Sequence, residues 1–133
     1  MWYEVVLKEP ELFDYLKEFH YPDLEKSEGQ FDSFDCISQA ARHYIELKSR
    51  NTHYPTLLIE QPKYEALIIS AGQLGLYPWY INATPDGVWG FDLSKLPVPV
   101  WADKWLPTTT EFARKGNRNK PVGFFAIEDG VKM

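Results

Sequence analysis

Trp79-Tyr80-Ile81-Asn82-Ala83-Thr84-Pro85-Asp86-Gly87-Val88-Trp89-Gly90-Phe91-Asp92-Leu93 is the stretch on which the fold turns. Thr84-Pro85-Asp86-Gly87 divides two runs rich in aromatic and β-branched residues. Proline presets the first turn dihedral, and glycine accepts the positive φ that closes a bulged hairpin. A β-hairpin over about residues 79–93 is therefore expected. Along its first strand Trp79 and Ile81 point one way and Tyr80 and Asn82 the other; across the turn Val88 and Gly90 oppose Trp89 and Phe91. One face is expected to be core, while the other still shows Tyr80 together with Trp89 or Trp79.

Upstream, residues 2–8 have the aromatic and β-branched character of an opening strand. Pro10 suits a first helical turn, and Leu12, Phe13, Leu16 and Phe19 recur at spacings of three and four until Pro22 stops propagation. Residues 23–30 read as a polar loop. Asp32 or Ser33 is placed to cap a longer helix whose apolar stripe is Phe34, Ile37, Ala41, Tyr44 and Leu47. Thr56 to Glu60 reads as a short strand. Pro62 then opens a helix through Tyr64, Leu67, Ile68 and Ala71, ended by Gly72 or Gly75, with a hairpin across 64–70 as its alternative.

Beyond the hairpin, Pro97 and Pro99 make an extended segment. Thr108 to Glu111 has capping-box spacing for a short helix ending at Gly116, and Val122 to Ile127 closes the chain as a strand. The expected order is β-α-α-β-α-β-β-α-β. This is an α+β chain, a single small domain over 1–133, in which a mainly antiparallel sheet packs against three to four helices.

A chain of 133 residues, 44% apolar and 16% aromatic, is a folded protein rather than a disordered one. Its apolar runs are too short to span a bilayer, so no membrane partner is expected. The start Met1-Trp2-Tyr3-Glu4 lacks the basic and apolar regions of a secretory signal, which leads to the cytoplasm as the expected compartment. Cys36 is the only cysteine and forms no internal disulfide. The net charge is −5, divided as −6 over residues 1–66 and +1 over 67–133. An acidic half disfavours a general nucleic-acid role, because Lys and Arg contacts to phosphate dominate such binding.

Cys36 and His43 would share a face of the long helix, but two turns put them roughly 10 Å apart, too far for a catalytic pair. Adding His20 and His53 yields no zinc-like spacing, so neither metal nor cofactor is expected. Asp23 with Glu60 and Lys63 has a distant likeness to a metal-dependent nuclease pattern. The Glu60–Lys63 spacing is wrong for it, and solvated surface charge is the better account. No nucleophile elbow, phosphate-binding glycine loop or dinucleotide fingerprint is present.

Four of the five tryptophans crowd into Trp79, Trp89, Trp101 and Trp105, more large aromatics than a small core readily absorbs. Tryptophan and arginine dominate interface energetics. The chain is therefore expected to be a non-enzymatic protein-binding protein, of inhibitor, immunity or adaptor type, with Trp101, Trp105, Arg114 and Arg118 as its contact residues. The partner would be another protein rather than nucleic acid. A small-ligand or glycan module stacking its ligand on Trp79, Tyr80 and Trp89 is the alternative. An enzyme whose site assembles only in three dimensions is the third expectation.

Overall fold

A computed structural model describes residues 6–27, 34–107 and 117–133. Two α-helices and nine strands follow in the order α1 (Glu9–Phe19), β1 (Glu25–Lys26), β2 (Phe34–Ser38), β3 (His43–Ser49), β4 (Thr56–Glu60), α2 (Gln61–Leu74), β5 (Tyr77–Thr84), β6 (Gly87–Asp92), β7 (Ala102–Pro107), β8 (Asn117–Ala126) and β9 (Val131–Lys132). A 3-10 turn, Ile127–Asp129, precedes β9. The strands form a six-stranded sheet, β1-β2-β3-β5-β6-β9, and a three-stranded sheet, β4-β8-β7. All pairings are antiparallel except β3 with β5, so the larger sheet is mixed. No helix among the described residues is long and apolar enough to cross a membrane.

The helices obey their local signals. Pro10 sits in the first turn of α1, where Glu11 accepts a 2.9 Å bond from the Lys8 amide and Leu12 and Leu16 are fully buried. Pro62 opens α2, and Gly75 ends it in the left-handed conformation at φ 70°. The hairpin forms as expected: β5 and β6 pair from Trp79 with Asp92 to Thr84 with Gly87. Gly87 holds φ 126°, and a Cβ there would come within 2.8 Å of Lys132 Cε. Gly87→Ala should therefore cost about 1–3 kcal/mol in urea unfolding. A loss under about 0.5 kcal/mol would mean that the turn is not held in this geometry.

The larger sheet is covered on both faces. Cys36, Ile45, Leu47, Ile81, Ala83 and Val88 pack against Leu12 and Leu16 of α1 with Tyr21 and Leu24. On the other face Tyr44, Tyr80 and Phe91 meet Tyr64, Leu67 and Ala71 of α2, together with Leu57, Ile59 and Phe125 of the smaller sheet. Each fully buried aliphatic side chain contributes on the order of 2 kcal/mol.

Several expectations need correction. The long helix after Ser33 is the β2–β3 hairpin, so Cys36 and His43 share no helical face; Cys36 is buried opposite Ile45. Two α-helices, not three to four, are found among the described residues. Residues 6–8 carry no strand; residues 2–5 of that expected element, the Asp32 or Ser33 cap and the helix expected over 108–116 lie outside the described residues. Trp105 is in β7, paired with Asn119. Tyr80 is 2% exposed, not on show, because the smaller sheet and α2 cover its face.

Candidate active site

The β2–β3 hairpin is built around a turn with neither glycine nor proline. Arg42 takes φ 64° in it. Asp23 holds the turn from outside: one carboxylate oxygen accepts from Ser38 Oγ at 2.7 Å and the other from the Ala40 amide at 2.9 Å. Those amide and hydroxyl donors keep its carboxyl below the usual range. Asp23 is thus a structural acid. Glu60 is likewise engaged, 3.7 Å from Lys120 Nζ.

The turn fixes a register in which Asp35 lies directly opposite Glu46. Directly opposed residues in an antiparallel pair project to the same face, with Cβ atoms roughly 5 Å apart. Two residues on, Lys48 shares that face. Through the parallel pairing, Tyr80 of β5 lies level with Glu46 and Asn82 level with Lys48. One row across the sheet is therefore Asp35, Glu46 and Tyr80, and Lys48 begins the next.

The electrostatics of the pair are unusual. Glu46 is 6% exposed, and its carboxyl is pushed up from 4.5 to about 7, first by burial and then by the charge of Asp35. Lys63, Lys48 and Arg50 oppose that shift without cancelling it. Asp35 is half-buried and accepts a 3.1 Å bond from the Tyr44 hydroxyl. Nearby, Glu9 in the first turn of α1 accepts from the Ser49 amide at 3.0 Å, bringing a further carboxylate to the end of β3.

Two adjacent carboxylates sharing a buried face suit a hard divalent cation. Magnesium is commonly held by one or two carboxylates, with water and substrate phosphate completing the shell. No group of three His, Cys, Asp or Glu residues among the described residues is close enough to hold a metal. A pair of carboxylates fits an ion shared with substrate better than one caged by protein.

Of the residues singled out from sequence, Tyr80 falls in this row as a buried side chain, and the other described ones lie elsewhere. Trp101 is half-buried, edge-on to Tyr64 at 5.3 Å, and packs on the core. Trp105 and Arg118 lie in β7 and β8, their side chains outside the described set, and Arg114 lies outside the described residues. Trp79, Tyr80 and Trp89 form no common platform. Trp79 stacks on His43 at 4.5 Å on one face, whereas Tyr80 and Trp89 pack on the other. Sequence reasoning missed Asp35, Glu46 and Lys48; the signal was Glu46-Leu47-Lys48, an acid and a base at strand spacing, with an aspartate on the preceding strand.

No family model matches the chain, and no curated protein matches it. Among solved structures it is similar to the Holliday junction resolvase Hjc of Archaeoglobus fulgidus, an archaeal hyperthermophile. The match covers 93% of this chain and 92% of that one at a TM-score of 0.58 and 16% identity. At that identity the likeness is one of fold. It overturns the expectation of a non-enzymatic inhibitor or adaptor with a protein partner and no nucleic acid, since the scaffold is one that serves an enzyme acting on DNA.

Proposed function

We propose that the chain is a divalent-cation-dependent nuclease acting on DNA, with Asp35, Glu46 and Lys48 as its working residues. The observation that carries this is the register of β2 on β3, which sets the two carboxylates side by side with the lysine on the same face. The fold shared with a Holliday junction resolvase supports it independently.

Asp35 and Glu46 would hold the cation, for which the donor set fits. When bound, such an ion supplies Lewis-acid polarisation of the phosphodiester and lowers the pKa of a bound water. Lys48 places a positive charge where the scissile phosphate gains negative charge. Tyr44 holds the Asp35 carboxylate through its hydroxyl. The opposing positive charges of Lys63 and Arg50 favour the ionised form of Glu46 in which a carboxylate can ligate.

The test is cleavage of labelled linear and four-way branched DNA by purified protein with magnesium. Asp35→Asn and Lys48→Ala should each lower the rate by about a hundredfold, with circular dichroism unchanged. Wild-type protein that cuts neither substrate, or a Lys48→Ala variant as fast as wild type, would sink the assignment.

A further inference from the structure

The strongest feature outside the carboxylate pair is a cavity of about 460 Å³ bordered by Arg50, Tyr54, Pro55, Leu58, Lys104 and Phe124. It is within the rough 300–1,000 Å³ range of small-ligand sites. Three properties of its lining point to one kind of occupant.

First, its cationic groups are partly uncommitted. Arg50 is fixed by bonds to three neutral oxygens, with Nη2 donating to Leu58 O at 2.6 Å and to the Tyr80 hydroxyl at 2.7 Å, and Nε donating to Asn82 Oδ1 at 3.2 Å. None of these hydrogen-bond partners is an anion, so the guanidinium, whose charge Glu46 also feels, is held in place with positive charge to offer a phosphate. Lys104 adds a second, its Nζ 5.1 Å from the centre of the Phe124 ring. Second, the aromatic groups reach solvent: Tyr54 is 57% and Phe124 42% exposed, although Phe124 sits in the middle of a paired strand. Aromatic rings beside cations are the lining that takes unpaired bases and their phosphates.

Third, Arg50 links the cavity to the active-site row. Glu46, Lys48 and Arg50 occupy alternate positions on one run of chain, and the Arg50 guanidinium reaches Tyr80, which lies level with Glu46.

We infer that this cavity is a subsite for an unpaired base of a DNA strand, stacked on Phe124 and Tyr54 with its phosphate against Lys104 and Arg50. The substrate is then DNA with single-stranded character next to the scissile bond. This rests on the nuclease reading, and the experiment separates the two.

Fluorescence anisotropy without divalent cation should compare a blunt DNA duplex with the same duplex bearing a short thymidine tail. Wild-type protein should bind the tailed duplex about tenfold more tightly, because one stacked base is worth on the order of that factor. The Tyr54→Ala/Phe124→Ala double variant should lose this preference while keeping its melting temperature, blunt-duplex affinity and blunt-duplex cleavage. Asp35→Asn should keep the preference and lose cleavage. Absence of the preference in wild type that still cleaves overturns the subsite and leaves the nuclease standing. A preference retained by the double variant, or tighter binding of an RNA tail than of the DNA tail, also overturns it. A tail preference in wild type that cuts no DNA supports the subsite and overturns the nuclease.

Discussion

Glu46→Gln removes cleavage and, above pH 7, makes the protein more stable than the wild type. The two effects share one cause. The Glu46 carboxyl sits at about 7 in the folded chain against an ordinary 4.5, because it is buried and faces Asp35. Below about pH 4.5 it is protonated whether the chain is folded or not, and no penalty exists. Between 4.5 and 7 the folded state keeps a proton that the unfolded state gives up, so stability falls as pH rises through this window. Above 7 the full cost of the ionised group is present, roughly 3 kcal/mol. A neutral amide of the same shape escapes it.

Thermal unfolding of the two proteins across pH should therefore coincide near pH 4 and diverge above pH 5. Above pH 7 the variant should melt about 5–10 °C higher. Magnesium should raise the wild-type melting temperature at pH 8 and leave that of Glu46→Gln unchanged, since a ligand stabilises only the state that binds it. Cleavage by the variant should fall by on the order of a thousandfold, the scale for loss of one electrostatic group. A variant less stable than wild type at pH 8, or a gain equal at pH 4 and pH 8, would show that Glu46 is not the strained acid described.

The carboxylate pair was invisible from sequence for the same reason that the β2–β3 hairpin was. Phe34, Ile37, Ala41, Tyr44 and Leu47 fit helical spacing, and a strand covered on both faces loses the alternation that would have opposed that fit. The turn between the strands has no glycine or proline to mark it; Arg42 adopts its positive φ beside a loop tied down by Asp23, a residue from another part of the chain. On a helix, Asp35 and Glu46 would lie three turns apart. On paired strands they are neighbours. By contrast α1, β4, α2 with its Gly75 cap and the 79–93 hairpin were legible, because proline, glycine and local periodicity settle each of them. The burial of Tyr80 was not, since it depends on the smaller sheet, whose β4–β8 pairing joins residues more than sixty positions apart.

Arg50→Met should cost about 3 kcal/mol or more, the largest loss expected from replacing a residue that is not part of the apolar core. Arg50 follows β3 in the larger sheet, reaches Tyr80 and Asn82 on β5, and crosses to the carbonyl of Leu58 in the smaller sheet. Tyr80 donates to that same carbonyl at 2.9 Å, so one oxygen of β4 is held by two groups of the other sheet. Burial pushes the Tyr80 phenol up to about 12, which keeps it a neutral donor at any ordinary pH. Methionine retains much of the arginine stem, so packing is largely preserved and the polar term is isolated. What is lost is a charge-assisted bond to each of three acceptors, two of them on side chains that are 2% or less exposed. Tyr80→Phe should cost about 1–2 kcal/mol, and the double variant should lose at least about 1 kcal/mol less than the sum, because the two side chains share the Leu58 carbonyl. Urea unfolding of the four proteins closes the cycle. Strict additivity, or an Arg50→Met loss below about 1 kcal/mol, would mean that the two sheets are joined by their apolar faces alone.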